Sequence, residues 1–405
     1  MVNWHDKFAE RTTYMKRSTI REILKLTQMP DVISFAGGLP APELFPLERV
    51  REAFRAVVEH YGPQALQYST TEGINELRDW VAARMSRSGL TITRENVLIV
   101  SGAQQAIDLV GRVLLDDGDL LALENPTYLG MLLAWRPYNL RYAVIPTDRD
   151  GLLVDRLDKA LIRRPKLMYL VPNFQNPQGV TLSWERREQL VECLAEYGAV
   201  VIEDNPYGEL RYSGSDIPSL YEFDASFRGS HSLDGHVIYA GTFSKILAPG
   251  LRLGWVVAPT AVIDKLVQAK QSADLQSGTF AQYLAYEVCR DGFIEGHIER
   301  LRAVYRRRRD LMLAAMDRHF PEEARWSRPE GGLFLMVSLP EFMDTSELLK
   351  EAIRHRVAFV PGQDFHVEGG YNTFRLNFSN AQPDMIEEGI RRLGQLLKEQ
   401  VRQPV

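Results

Sequence analysis

The run VVIED closes on Asp204, and Tyr207 follows three residues later in DNPYGE. A carboxylate ending a buried strand is costly unless it meets a cation or several donors. Standing alone, such an aspartate is more often a helix cap or a turn residue. The next strand-like run, VIYAG, leads into TFSKILAPGLRLGW, which carries Thr242, Ser244, Lys245 and Arg252 among Pro249, Gly250 and Gly254. Two hydroxyls, a lysine and an arginine this close together can hold a phosphate beside a reactive amine, or simply form a solvated basic turn. In VLIVSGAQQAIDLV, the small residues Ser101, Gly102 and Ala103 open an amphipathic stretch. A helix starting there turns unpaired N–H groups and its positive dipole end toward an anion. No GxxxxGK[ST] and no GxGxxG occurs, so neither a P-loop nor a dinucleotide fingerprint explains these residues. The three chain segments together offer one phosphate cradle, one amine and one carboxylate.

The elements that must position them alternate. Seven apolar runs, VLIV, LLALE, YAVIP, LMYLVP, VVIED, VIYAG and LGWVVAP, lie between Val97 and Pro259. Continuous β-rich runs without polar alternation suit strands buried on both faces. Between them, Trp184–Tyr197 puts Leu190, Val191, Leu194 and Tyr197 on one helical face. Strand, helix and strand repeated in this way predict an α/β domain with a mainly parallel, seven-stranded sheet. Ligands of open parallel sheets sit at the carboxyl ends of the strands, where Asp204 and the lysine segment fall. Residues 293–320 read as one long helix. Strand-like LFLMVSL, VAFVP and TFRLNFS, helix-like SELLKEAIRHR and a closing helix near Met385–Gln400 follow, predicting a smaller α+β domain. The expected division is an N-terminal segment 1–45 that joins the small domain and covers the site, a large domain 46–295 and a small domain 296–405.

Composition narrows the classes of function. The 405 residues are 45% hydrophobic, 10% aromatic and 25% charged, enough for two or three domains with a large core. A net charge of −5, spread evenly, argues against nucleic acid or an anionic membrane as the main partner. The most apolar long window, Val97 to Leu115, is interrupted by six polar or small residues and does not suit a bilayer span. The N-terminus mixes both charges and lacks a signal peptide's apolar core. Two cysteines, Cys193 and Cys289, suit packed thiols in a reducing compartment and a cytoplasmic protein. No zinc-type Cys/His spacing appears, so no metal is expected.

PNFQNPQG, EDNPYGE and TFSKILAPGLRLGW, in that order and spacing, resemble the signature blocks of the fold-type I, pyridoxal-phosphate-dependent class I/II aminotransferases. SFAGGLPAPELFP and LQYSTTEG resemble the bacterial 2-aminoadipate (lysine-biosynthesis) and broad-specificity subgroup, related to kynurenine/aminoadipate aminotransferases. The likeness runs from about Ser18 to the C-terminus.

The resemblance implies roles residue by residue. Lys245 is the Schiff-base lysine, Asp204 pairs with the protonated pyridine nitrogen of pyridoxal 5'-phosphate, and Tyr207 and Asn176 bond the phenolic oxygen. Ser101, Gly102, Ala103, Gln104, Thr242, Ser244 and Arg252 form the phosphate and cofactor site, with Tyr128 on the ring face. Arg375, in TFRLNFSN, takes the substrate α-carboxylate, and Gly38 lines the substrate pocket. Tyr68 reaches the neighbouring subunit's phosphate, which implies a homodimer with shared sites. Arg21, in STIREILKL, meets a side-chain carboxylate, or is a solvated helix arginine. The activity implied is ping-pong transfer from an L-amino acid (2-aminoadipate, glutamate, branched-chain or aromatic) to a 2-oxo acid such as 2-oxoglutarate. A C–S β-lyase on the same fold and a non-enzymatic regulatory module are the alternatives. The regulatory module is expected to carry a basic winged-helix domain, for which about 20 residues ahead of the matching region leave no room.

Overall fold

The computed structural model describes residues 1–15 and 31–401. The helix expected over STIREILKL, and Arg21 with it, lies outside them. All seven apolar runs are strands of one sheet, in the order Val97–Val100, Gly254–Val257, Val237–Thr242, Val201–Asp204, Leu167–Leu170, Leu120–Asn125 and Arg141–Asp148. An eighth strand of two residues, Gly151–Leu152, pairs antiparallel at the edge and makes the sheet eight-stranded rather than seven. Six of the seven run in one direction; only Gly254–Val257 is reversed, antiparallel to both its neighbours.

Because side chains alternate across a strand, this sheet divides the core in two. Leu98, Val100, Leu121, Leu123, Tyr169, Ile202, Ile238 and Val256 pack on one face, against the helices Ala103–Leu114, Leu129–Trp135 and Thr260–Ala273. Val97, Ile99, Ala122, Met168, Val201, Val237 and Val257 pack on the other, against Asn75–Met85, Trp184–Tyr197, Leu220–Arg228 and Thr279–Cys289. The helix Trp184–Tyr197 starts where the Ser183 side chain caps Arg186 N–H and stops at Gly198, whose φ of 61° reverses the chain. Cys193 is half-buried and Cys289 buried; both are free thiols.

The first core continues into the C-terminal third. There the antiparallel strands Arg325–Trp326, Phe334–Ser338, Thr373–Asn377 and Val360–Pro361 form a four-stranded sheet. The long helix Phe293–His319 and the closing helix Pro383–Val401 cover it. An N-terminal strand, Ile33–Ser34, pairs parallel with Val357–Ala358 and carries the following loop toward the carboxyl ends of the large sheet. No helix among the described residues is long and apolar enough to cross a membrane.

Candidate active site

A cavity of about 270 Å³ opens at the carboxyl ends of the strands. Gly38, Ala103, Gln104, Tyr128, Asn176, Asp204, Tyr207, Thr242, Ser244, Lys245, Arg252 and Arg375 all border it.

Asp204 is the last residue of its strand and only 2% exposed. Its Oδ2 accepts the Tyr169 hydroxyl at 2.6 Å, while Oδ1 has no hydrogen-bond partner. Burial pushes its pKa up to about 7, against the opposing pull of the Tyr169 hydrogen bond. A buried carboxylate with an open oxygen beside a cavity is a site awaiting a proton-bearing cation.

Lys245 follows the neighbouring strand through a tight turn in which Thr242 Oγ1 accepts the Ser244 N–H at 3.1 Å and lies 3.1 Å from the Leu253 carbonyl. Its Nζ donates to the Gly38 carbonyl at 2.9 Å. Burial, with the positive charges of Arg375 and Arg252, lowers its pKa to about 8. A substantial neutral fraction therefore exists near neutral pH, unlike for a free lysine at about 10.4.

Gly102 caps the helix Ala103–Leu114 with φ of 85°. A Cβ there would lie 2.9 Å from Arg252 Nη2, so glycine is needed both for the backbone conformation and for the approach of the guanidinium. The first-turn N–H groups of Ala103 and Gln104 have no partner within the helix. With Arg252 and Ser244 they surround a place suited to an anion. The Gln104 side chain is committed elsewhere, donating to the Gly130 carbonyl at 2.8 Å and accepting the Tyr128 hydroxyl at 3.3 Å.

Arg375 is 2% exposed and sits between two rings, 4.2 Å from the Phe334 centroid and 4.9 Å from that of Phe365. Nη1 donates to Asn176 Oδ1 at 2.7 Å and Nη2 to the Ala36 carbonyl at 2.8 Å; Nε has no partner. Burial lowers its pKa to about 10, which leaves it charged. Tyr207 packs edge-on against Phe334, and burial raises its hydroxyl well above the ordinary tyrosine value. Gly38 also faces Phe334, where a Cβ would come within 3.1 Å of the ring.

Among the described residues, Ser101, Gly102 and Tyr68 were expected at the site and do not border this cavity, although Gly102 abuts Arg252, which does. The Ser101 side chain turns away, to Asp274 and Ser277, each at 3.1 Å. Tyr68 is 78% exposed on the surface, and Arg21 is outside the described residues. Conversely, Val171, Pro206 and Phe334, to which the motifs assign no role, border the cavity, and Tyr169 grips Asp204 from behind. Tyr169 reads as one more core aromatic in LMYLVP. The available signal is its polar tip, which needs a partner when buried.

The comparisons with known proteins agree with this geometry. Residues 30–393 match the family described as aminotransferase class I and II. The chain is 42% identical to aromatic-amino-acid aminotransferase 1 of Thermococcus litoralis, over 99% of this chain and 96% of that protein. It is 43% identical to the 2-aminoadipate transaminase of Thermus thermophilus, over 98% of each. The crystal structure of the alpha-aminoadipate aminotransferase LysN from Thermus thermophilus, complexed with N-(5'-phosphopyridoxyl)-L-leucine, matches with a TM-score of 0.91 at 42% identity, covering 98% of this chain and 99% of that one. With its mainly parallel sheet and the cavity at its carboxyl edge, the chain belongs to the class I and II aminotransferases.

Proposed function

We propose that this aminotransferase moves the amino group of an L-amino acid to a 2-oxo acid such as 2-oxoglutarate, with pyridoxal 5'-phosphate in the cavity described above. The observation that carries the reading is Asp204, a buried carboxylate with one oxygen unpartnered, bordering the same cavity as a lysine of lowered pKa. Bound there, the cofactor supplies an electron sink for the negative charge that develops at the substrate Cα.

The chain's own residues do the rest. Asp204 Oδ1 holds the proton on the ring nitrogen. The main-chain N–H groups of Ala103 and Gln104, with Ser244 and Arg252, hold the phosphate; Gly102, whose own N–H is donated to the Val100 carbonyl, leaves room for the guanidinium, and Thr242 fixes the Ser244 turn. Asn176 and Tyr207 hold the phenolic oxygen, and Tyr128 packs on the ring face. Lys245 Nζ, neutral often enough at a pKa of about 8, would take the substrate Cα proton as general base and deliver it as general acid to the cofactor C4′. Arg375 anchors the substrate carboxylate. Its ring sandwich and two occupied Nη groups fix its plane, and burial strengthens its field.

The proposed donors span 2-aminoadipate, glutamate, branched-chain and aromatic amino acids. Supporting this breadth are the names of the relatives, the leucine adduct in the matching crystal structure, and the apolar Phe334, Val171 and Tyr128 in the cavity wall. The proposed assembly is a homodimer in which Tyr68 completes the partner's site. Its support is the exposure of Leu47, Phe54, Val58, Leu66 and Tyr68 along and just beyond the helix Leu47–Ala65. The proposed domains are 46–295 and 296–405, with 1–45 joined to the second, as the pairing of Ile33–Ser34 with Val357–Ala358 favours. Two free thiols favour a cytoplasmic location.

The test is to load the protein with pyridoxal phosphate, add one amino acid at a time without oxo acid, and follow the cofactor absorbance and 2-oxo acid release. Stoichiometric oxo acid with a lasting spectral change supports the reading, and the ranking of rates names the donor class. Continuous pyruvate and ammonia from a β-substituted amino acid, with an unchanged spectrum, would show a lyase instead.

A further inference from the structure

Behind the Ser101–Gly102 turn lies a closed set of polar side chains that the chemistry above does not use. Lys270, on the helix Thr260–Ala273, is completely buried. Its Nζ donates to Asp274 Oδ1 at 2.7 Å, to Asp274 Oδ2 at 2.8 Å and to Gln105 Oε1 at 2.9 Å. Gln105 Oε1 also accepts the Ser101 N–H at 2.7 Å, and its Nε2 donates to Asp274 Oδ2 at 2.7 Å. The Ser101 hydroxyl reaches the same Oδ2 at 3.1 Å. The main-chain N–H and the side chain of Ser101 are thus both tied to one lysine–aspartate pair. On its other side the Ser101 carbonyl lies 3.5 Å from Arg252 Nη2, and Gly102 abuts that guanidinium.

The arrangement poses an electrostatic problem. A carboxylate organises the turn, yet the next residue opens a helix N-terminus suited to an anion. Two negative charges on either side of one turn repel unless a cation intervenes. Burial lowers the Lys270 pKa, and the Asp274 carboxylate, itself partly exposed, opposes that shift without cancelling it.

We propose that Lys270 is a positioning residue for the phosphate cradle: by neutralising Asp274, it lets that carboxylate hold the Ser101–Gly102 turn without repelling the anion bound there. The inference rests on the reading that Ala103, Gln104 and Arg252 take the cofactor phosphate. Lys270 touches neither cofactor nor substrate in this scheme, and acts through Asp274, Gln105 and Ser101.

The experiment measures binding of inorganic phosphate and of pyridoxal phosphate to the full chain freed of cofactor, together with kcat at saturating cofactor. Lys270→Met is expected to weaken both ligands at least tenfold while kcat stays within threefold. The double variant Lys270→Met/Asp274→Asn is expected to recover binding to within threefold of the parent, because the repelling charge is gone. Asp274→Asn alone is expected to bind phosphate no more weakly than the parent, whereas a purely structural network predicts a loss. Binding by Lys270→Met within twofold of the parent overturns the proposal, as does a double variant no tighter than Lys270→Met. If Lys270→Met does not fold, Asp274→Asn decides: phosphate binding weakened more than threefold refutes the charge argument. Arg252→Leu separates the two levels. If it leaves phosphate binding unchanged, the cradle itself is misassigned and the inference falls with it. If it weakens binding while Lys270→Met does not, only the role of Lys270 fails.

Discussion

Glu203 and Asp204 are neighbours on one strand and point to opposite faces of the same sheet. Both are buried, both have a pKa pushed up to about 7 by desolvation, and each has one oxygen without a hydrogen-bond partner. Glu203 faces packed protein. Its Oε2 accepts the Leu220 N–H at 2.9 Å at the start of the helix Leu220–Arg228, and the charge of the buried Arg187 opposes its desolvation. Asp204 faces the cavity, with a tyrosine hydroxyl as its donor and no arginine among the causes of its shift. Burial and a perturbed pKa therefore do not by themselves mark a reactive group. What separates the two carboxylates is whether the protein supplies the opposite charge or leaves that to a ligand.

Substitutions on the cavity face test this contrast most severely. Lys245→Ala is expected to abolish steady turnover, a loss of about 10³-fold or more in 2-oxo acid formation; turnover comparable to the parent would defeat the assignment. Asp204→Asn is expected to lower kcat by about 10²–10³-fold while the protein stays folded. On the opposite face, Glu203→Gln is expected to leave kcat within about threefold and to lower the unfolding midpoint, an effect of about 1 kcal/mol for a lost charged hydrogen bond. Equal kinetic losses at the two positions would erase the distinction.

The pH dependence of the cofactor-free protein sharpens it. The unfolded chain releases the Asp204 proton near 3.8, whereas the folded chain keeps it until about pH 7. The native state thus binds more protons between those values, and stability falls as pH rises through them. Glu203 and Glu124, the latter raised to about 8, act in the same direction. Melting curves from pH 5 to 8 are expected to show the decline. Asp204→Asn should reduce it by roughly 1 kcal/mol or more, and saturating pyridoxal phosphate should reduce it in the parent but not in Asp204→Asn. Smallest in effect, Tyr169→Phe keeps the ring packed on Trp135 and removes the donor to Oδ2. A threefold to tenfold loss in kcat, about 1 kcal/mol, is expected, with the pH midpoint of cofactor affinity displaced upward. An unmoved midpoint would make Tyr169 mere packing.

The same contrast explains what the sequence made legible. The seven buried strands show as apolar runs because both faces are covered, and Asp204 and Lys245 stand out because polar residues ending such runs need a reason. The two-residue strand Gly151–Leu152 leaves no run to read. Pairing of Ile33–Ser34 with Val357–Ala358 joins distant parts of the chain through main-chain bonds, on which side-chain pattern is silent. Glu203, beside Asp204 in the same VVIED, is equally polar, and only the alternation of faces tells which carboxylate meets the cavity. The position of Ser101 before Gly102 suggests the phosphate site, but its hydroxyl has a better partner in Asp274. Phe334 is one apolar residue among several in LFLMVSL, and only the fold lays Arg375 on its ring.

The loop after Ile33–Ser34 touches two of the three cationic groups of the site, and does so through carbonyls: Ala36 accepts from Arg375 and Gly38 from Lys245. A carbonyl is the same whichever residue bears it. The loop can therefore exchange side chains over evolutionary time, and with them the shape offered to a substrate, while the two contacts that serve the common chemistry go unchanged. In such a design, preference for an acidic, aliphatic or aromatic substrate can drift without passing through an inactive ancestor.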